Sequence, residues 1–272
     1  MVRDPEASRA SRVAISVALL GCAWAALGWP AGAQPRPALR VLFVGNSHTY
    51  THDIPSLVSA IAASATGARP LVVATSITIP GACLADHRRD GRAEQAIRTG
   101  RFDVVVLQEC GGGVARNRPR YWRGARTFQA DIARSGARTV LAMVHSYRTG
   151  GNGTTDAIAA SVRPLARELG ATVTPHAIAW AALHRALPRE PLFLPDGYHP
   201  SLVAAYLDAC TTYATLTCAS PEGVTRETPE GAIAPDVASA VWRAAWQSVR
   251  AERTGCLPAA PAARDPRPSP DR

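Results

Sequence analysis

The run Val104-Val105-Val106-Leu107 is apolar at every position. A strand with one face in water alternates apolar and polar residues, so an unbroken apolar strand is buried on both faces. Helices packed on both sides of a parallel sheet supply that burial. The rest of the chain keeps the same rhythm. Further strands are predicted over 40–44, 71–75, 102–107 and 138–144, with a short fifth starting at Ala171. Between and after them, helical spacing of apolar residues predicts helices over 54–65, 84–99 (with an interruption at Gly91), 121–135, 154–169, 201–215 and 235–250. Pro164 is expected to kink or divide the fourth of these. Residues 188–200 are Pro-rich and read as loop. The fold class is therefore α/β, with a parallel sheet of about five strands.

The ends of the chain read differently. Arg3, Arg9 and Arg12 precede an apolar stretch over 13–28 and a small-x-small site at Ala31-Gly32-Ala33. This is the pattern of a secretory signal peptide over 1–33, cut before Gln34. Leu19-Leu20-Gly21-Cys22 offers the competing reading of a lipoprotein anchored at Cys22. The protein is expected to be exported, periplasmic or extracellular. No later segment approaches the ~20 apolar residues that a membrane span needs. The folded domain is expected over 34–256, and the Pro- and Ala-rich tail over 257–272 is expected to be disordered. The formal charge of +9 comes almost wholly from arginine. The arginines are scattered without an aromatic-basic pattern, so nucleic-acid binding is not expected. A chain starting at Gln34 keeps five cysteines, of which at least one is free or pairs between chains. None are spaced C-x-x-C, and no histidine cluster joins them, so no metal or other cofactor is expected.

Two short motifs carry chemistry. Strand one runs into Gly45-Asn46-Ser47, which presents a serine at the carboxyl edge of the sheet, where open α/β sheets bind ligands. A serine hydroxyl is a poor nucleophile without a base in contact. Far downstream, Asp196-Gly197-Tyr198-His199-Pro200 places a carboxylate three residues before a histidine on a tight loop. In such a turn the carboxylate can reach Nδ1, fix the tautomer and leave Nε2 for the serine. Ser47, Asp196 and His199 are the candidate triad. Gly45-Asn46-Ser47-His48-Thr49 lacks the second glycine of Gly-x-Ser-x-Gly and lies on the first strand, which argues against the α/β-hydrolase fold.

These residues resemble the SGNH (GDSL-like) hydrolase superfamily, in particular its bacterial subgroup with Gly-Asn-Ser in the first block and Leu-Gln-Glu in the third. The likeness spans 40–249. The first block is 42–50, the second is Pro80-Gly81-Ala82-Cys83-Leu84, and the fifth is 196–201. The resemblance implies a flavodoxin-like three-layer α/β/α sandwich and ester hydrolysis by the triad. It implies an oxyanion hole built from the Ser47 and Gly81 amides. The third block departs from the broad pattern: Gln108 stands where Gly-x-Asn-Asp would supply an asparagine, and Gln108 is assigned the third donor. Asn46, His87, Glu109 and His145 are possible pocket residues, and His48 is expected to anchor a loop. Convergence of Gly81 and Gln108 would also bring Cys83 and Cys110 together as a disulfide. A second bridge would be Cys210–Cys218 or Cys218–Cys256. The implied reaction is hydrolysis of short-acyl esters, O-acetyl groups on carbohydrate being the preferred class. The alternative is a non-catalytic glycan- or surface-binding module on the same fold.

Overall fold

The computed structural model describes residues 36–253 and 255–257. The signal segment, Cys22 and the tail beyond 257 lie outside the described residues. From the amino end the elements are β1 (Ala38–Gly45), the one-turn helix α1 (Ser47–Tyr50), α2 (Ile54–Ser64), β2 (Leu71–Thr78), α3 (Leu84–Asp90), α4 (Arg92–Thr99) and β3 (Val104–Leu107). They continue with α5 (Gly111–Arg116), α6 (Arg118–Ser135), β4 (Arg138–Ala142), α7 (Thr155–Leu169), β5 (Thr172–Thr174), α8 (His176–Ala186), α9 (Leu202–Thr217) and α10 (Pro235–Ala251). The five strands form one parallel sheet in the order β2-β1-β3-β4-β5.

The apolar runs explain the layers. Successive side chains on a strand point to opposite faces. Val41, Phe43, Val104, Val106, Val140 and Ala142 enter one core, against α2, α8, α9 and α10. Leu42, Val44, Val105, Leu107, Leu141 and Met143 enter the other, against α3 to α7. Both faces are therefore apolar, and the result is a three-layer α/β/α sandwich. Helix α9 is buried from Ala204 to Leu216 on every side, which suits a helix with little amphipathic contrast.

The helix over 84–99 is interrupted at Gly91 as expected, where φ 82 ends α3 as its C-cap; other elements differ from their sequence expectation. Helix α7 runs unbroken through Pro164. Pro164 removes one amide donor, but the carbonyl it orphans belongs to Ala160, which is exposed and can bond to water. Helices α5 and α8 were not expected. The triple glycine of α5 has poor helix propensity, and α8 lacks a clear polar stripe.

Parallel pairing gathers the carboxyl ends of the strands. Gly45 lies beside Thr78, and Val44 beside Leu107. The chain order reverses at β1, so the loops after β1, β2 and β3 meet at a topological switch point. The loop between α8 and α9 joins them from outside the sheet. It is folded back by the Phe193–Pro200 bridge and by Leu194 N–H donating to His199 O at 3.0 Å.

Candidate active site

Ser47 is the first residue of α1. Its N–H and its hydroxyl have no hydrogen-bond partner among the described residues, and the residue is half-buried. The turn that holds it is fixed from three directions by Asn46, which is 1% exposed. Asn46 Oδ1 caps α1 by accepting from His48 N–H at 3.1 Å. Asn46 Nδ2 donates to Ala82 O at 2.9 Å and to Glu109 O at 3.4 Å. One carboxamide thus joins the loops after β1, β2 and β3. Glycine is required at 45, because a Cβ there would meet Thr49 Oγ1 and stand 2.6 Å from Gln108 Oε1.

Gln108 leaves β3 beneath this turn. Its Oε1 accepts from the Thr49 hydroxyl and, at 3.5 Å, from Asn46 N–H. Two donors on Oε1 fix which end of the carboxamide is which. Nε2 is left with no partner among the described residues.

Asp196 and His199 meet within their loop. Asp196 Oδ2 lies 2.8 Å from His199 Nδ1, while Asp196 Oδ1 accepts from the Tyr198 and His199 amides at 2.9 and 3.0 Å. Gly197 at φ 77 allows the turn. Desolvation works to raise the Asp196 pKa, but those two amides and the imidazole outweigh it and hold the carboxyl at about 2. His199 Nε2 is buried and makes no hydrogen bond among the described residues.

The second and third loops are tied covalently. Cys83 and Cys110 form a disulfide with Cα atoms 4.4 Å apart. Cys218 pairs with Cys256, and Cys210 is free and buried. Gly81 turns at φ 66, and its N–H has no partner among the described residues. Glu109 is buried beside the disulfide, where its Oε2 accepts from Leu84 N–H at 3.1 Å. Burial raises its pKa to about 7, against that amide and Arg120. Cys83, Cys110 and Glu109 bring three ligand-type atoms within 4.8 Å of one another. Both sulfurs are spent in the disulfide, so the thiolates a soft metal would take are absent.

The other histidines separate into distinct roles. His87 is fully buried and donates from Nε2 to Gly45 O at 2.7 Å, so it props the end of β1 from behind. His145 donates from Nε2 to Tyr198 O at 2.8 Å and stacks on Trp180 with ring centroids 3.7 Å apart. Burial depresses its pKa to about 3, so it is neutral. It holds the 194–200 loop through the Tyr198 backbone. His48 Nε2 lies 2.9 Å from Tyr147 Oη, and its ring centroid is 5.5 Å from that of His199. His52 Nδ1 meets Glu230 Oε1 at 2.6 Å.

Tyr147, Trp180 and Asp208 carry no sequence signal, being single aromatic or acidic residues without motif spacing. Trp180 Nε1 donates to Asp208 Oδ1 at 2.8 Å under His145. Asp208 stands 3.8 Å from His176 Nδ1, too far for a hydrogen bond. Burial raises the Asp208 carboxyl to about 8 and lowers His176 to about 3, so the two are a neutral pair and not an ion pair. A cavity of about 20 Å³ lies between His48, Thr49, Gln108, His176 and Thr212. The large groove of about 500 Å³ on α6, lined by Arg118, Trp122, Arg123 and Arg126, shares no residue with this site.

No protein-family model and no curated protein matches the sequence. Solved structures do match. A candidate SGNH hydrolase from Slackia heliotrinireducens is 23% identical, with a TM-score of 0.55 over 65% of this chain and 98% of that one. A DUF4886 family protein from Bacteroides uniformis is 17% identical, with a TM-score of 0.62 over 78% and 95%. An acetyl xylan esterase is 15% identical, with a TM-score of 0.51 over 63% and 96%. The chain has the fold of the SGNH and GDSL-like hydrolases.

Proposed function

We propose that this protein is a serine ester hydrolase with Ser47, His199 and Asp196 as its triad. The observation that carries the reading is the Asp196–His199 pair. Among the described residues the His199 Nε2 is buried without a partner, and the Ser47 hydroxyl at the same sheet edge is also unpartnered.

Ser47 Oγ attacks the ester carbonyl as His199 Nε2 takes its proton. Asp196, ionised down to about pH 2, balances the imidazolium that forms. The oxyanion is held by the Ser47 and Gly81 N–H groups and by Gln108 Nε2, the end of that carboxamide not used by Thr49. His199 returns the proton to the leaving alcohol, and a water activated by the same imidazole releases the acyl group. A short acyl group, acetyl above all, on a carbohydrate is the favoured substrate. The fold shared with an acetyl xylan esterase supports that class. The signal-like amino-terminal sequence supports export to where such glycans are found.

The test is hydrolysis of p-nitrophenyl acetate by wild type and Ser47→Ala, with fluorophosphonate labelling of both. Wild type is expected to label and turn over, and Ser47→Ala to lose labelling and about 10³-fold or more in rate. Equal rates in the two proteins would refute the esterase reading and leave a binding module.

A further inference from the structure

We infer that Tyr147 is the wall that limits the acyl group to acetyl size; this rests on the esterase reading above. Tyr147 projects from the loop between β4 and α7. Its Oη meets His48 Nε2 at 2.9 Å, next to the nucleophile. Its ring centroid is 5.8 Å from that of Tyr198, next to the base. Its phenol lies directly over Gly111, where any Cβ would overlap Oη. One side chain therefore spans the first, third and fifth blocks.

The wall is rigid because its loop is hydrogen-bonded throughout. Tyr147 N–H donates to Asn152 Oδ1 at 2.7 Å, and Asn152 Nδ2 donates to His145 O at 2.9 Å. Asn152 is fully buried. Ser146 Oγ donates to Gly153 O at 2.7 Å, and Arg148 N–H donates to Gly197 O at 3.0 Å, which ties the loop to the base loop.

The direction of the acyl group follows from the reaction. The leaving oxygen must face His199 Nε2, and the carbonyl oxygen must face Ser47, Gly81 and Gln108. In this proposal the acyl group extends toward Gly111 and the Tyr147 phenol that lies over it. Each further methylene would press on a phenol held by His48, and discrimination of about 10-fold per methylene is expected.

The experiment compares kcat/KM for p-nitrophenyl acetate, butyrate and hexanoate in wild type, Tyr147→Phe, Tyr147→Leu and Tyr147→Ala. Wild type and Tyr147→Phe are expected to favour acetate over hexanoate by about 10⁴-fold. Tyr147→Ala is expected to cut that preference at least 10-fold, with Tyr147→Leu between. Thermal melts identify the variants that fold, and Tyr147→Leu serves if Tyr147→Ala does not. An unchanged preference in a folded small-residue variant, or a wild type indifferent to chain length, overturns the wall. A wild type that hydrolyses none of the esters and is not labelled at Ser47 fails the esterase reading itself, which is a distinguishable result.

Discussion

Asn46→Asp changes one atom pair and separates two jobs that Asn46 performs together. The cap survives, since a carboxylate oxygen accepts from His48 N–H as the amide oxygen does. A negative charge at a helix N-terminus adds about 0.5 kcal/mol. The strap does not survive. Nδ2 donates to Ala82 O and Glu109 O, and an aspartate turns an acceptor toward both carbonyls. Leaving buried polar groups unsatisfied costs about 1–3 kcal/mol each, so the two carbonyls together cost about 2–6 kcal/mol. The carboxylate is also desolvated, because the site is 1% exposed. The net loss is about 2–5 kcal/mol. At 2–4 °C per kcal/mol for a domain of this size, the melting temperature falls by about 4–20 °C. Calorimetry at pH 7 measures it, and p-nitrophenyl acetate turnover should fall alongside. A variant that melts within 2 °C of wild type would refute the strap, and with it the idea that this residue sets the spacing of the three loops.

Two further substitutions test the surroundings. Asp208 is held protonated to about pH 8 by burial, whereas the unfolded chain ionises it near 3.8. The folded state therefore binds the extra proton, and stability from this group is lost as pH rises from about 4 to 8. Asp208→Asn should raise the melting temperature relative to wild type by an amount that grows from pH 5 to pH 8; a difference that stays constant with pH contradicts the buried neutral acid. Gly45→Ala drives a methyl group into Thr49 and Gln108, and overpacking of this kind costs about 1–3 kcal/mol. Its melting temperature should drop by about 3–10 °C with a loss of turnover, and wild-type values for both would show that the turn has room.

The sheet was legible because its strands are apolar on both faces, and few other structures accept Val104-Val105-Val106-Leu107. Helix α8 was not, because alanines surround its apolar residues and leave no polar stripe to mark a period. Within the candidate site, the Asp196–His199 contact was legible through local spacing, and the place of Ser47 just past a strand end through the strand-turn pattern. Gln108 was assigned a donor role from its amide alone; that its oxygen clamps the Ser47 turn depends on Thr49, which lies in α1 and far from Gln108 in sequence. His87 illustrates the limit. It was a possible pocket residue by motif position, yet it supports Gly45 from inside the core, and only three-dimensional packing distinguishes those two places. Tyr147, Trp180 and Asp208 each act through a partner distant in sequence, so no local pattern announces them.

The Cys83–Cys110 bond has a consequence for chain continuity. Strand β1 lies between β2 and β3 in the sheet, and the bond joins the loops that follow those two outer strands. It links the loops on either side of the strand that leads into Ser47. The intervening excursion through α3 and α4 is therefore not the only link between the Gly81 loop and the Gln108 loop. A backbone cut at the Gly91 junction would leave both loops attached to one another through sulfur. New termini placed there should be tolerated, as they are at exposed turns generally. The nicked protein should stay assembled on a non-reducing gel and separate into two pieces once thiol is added.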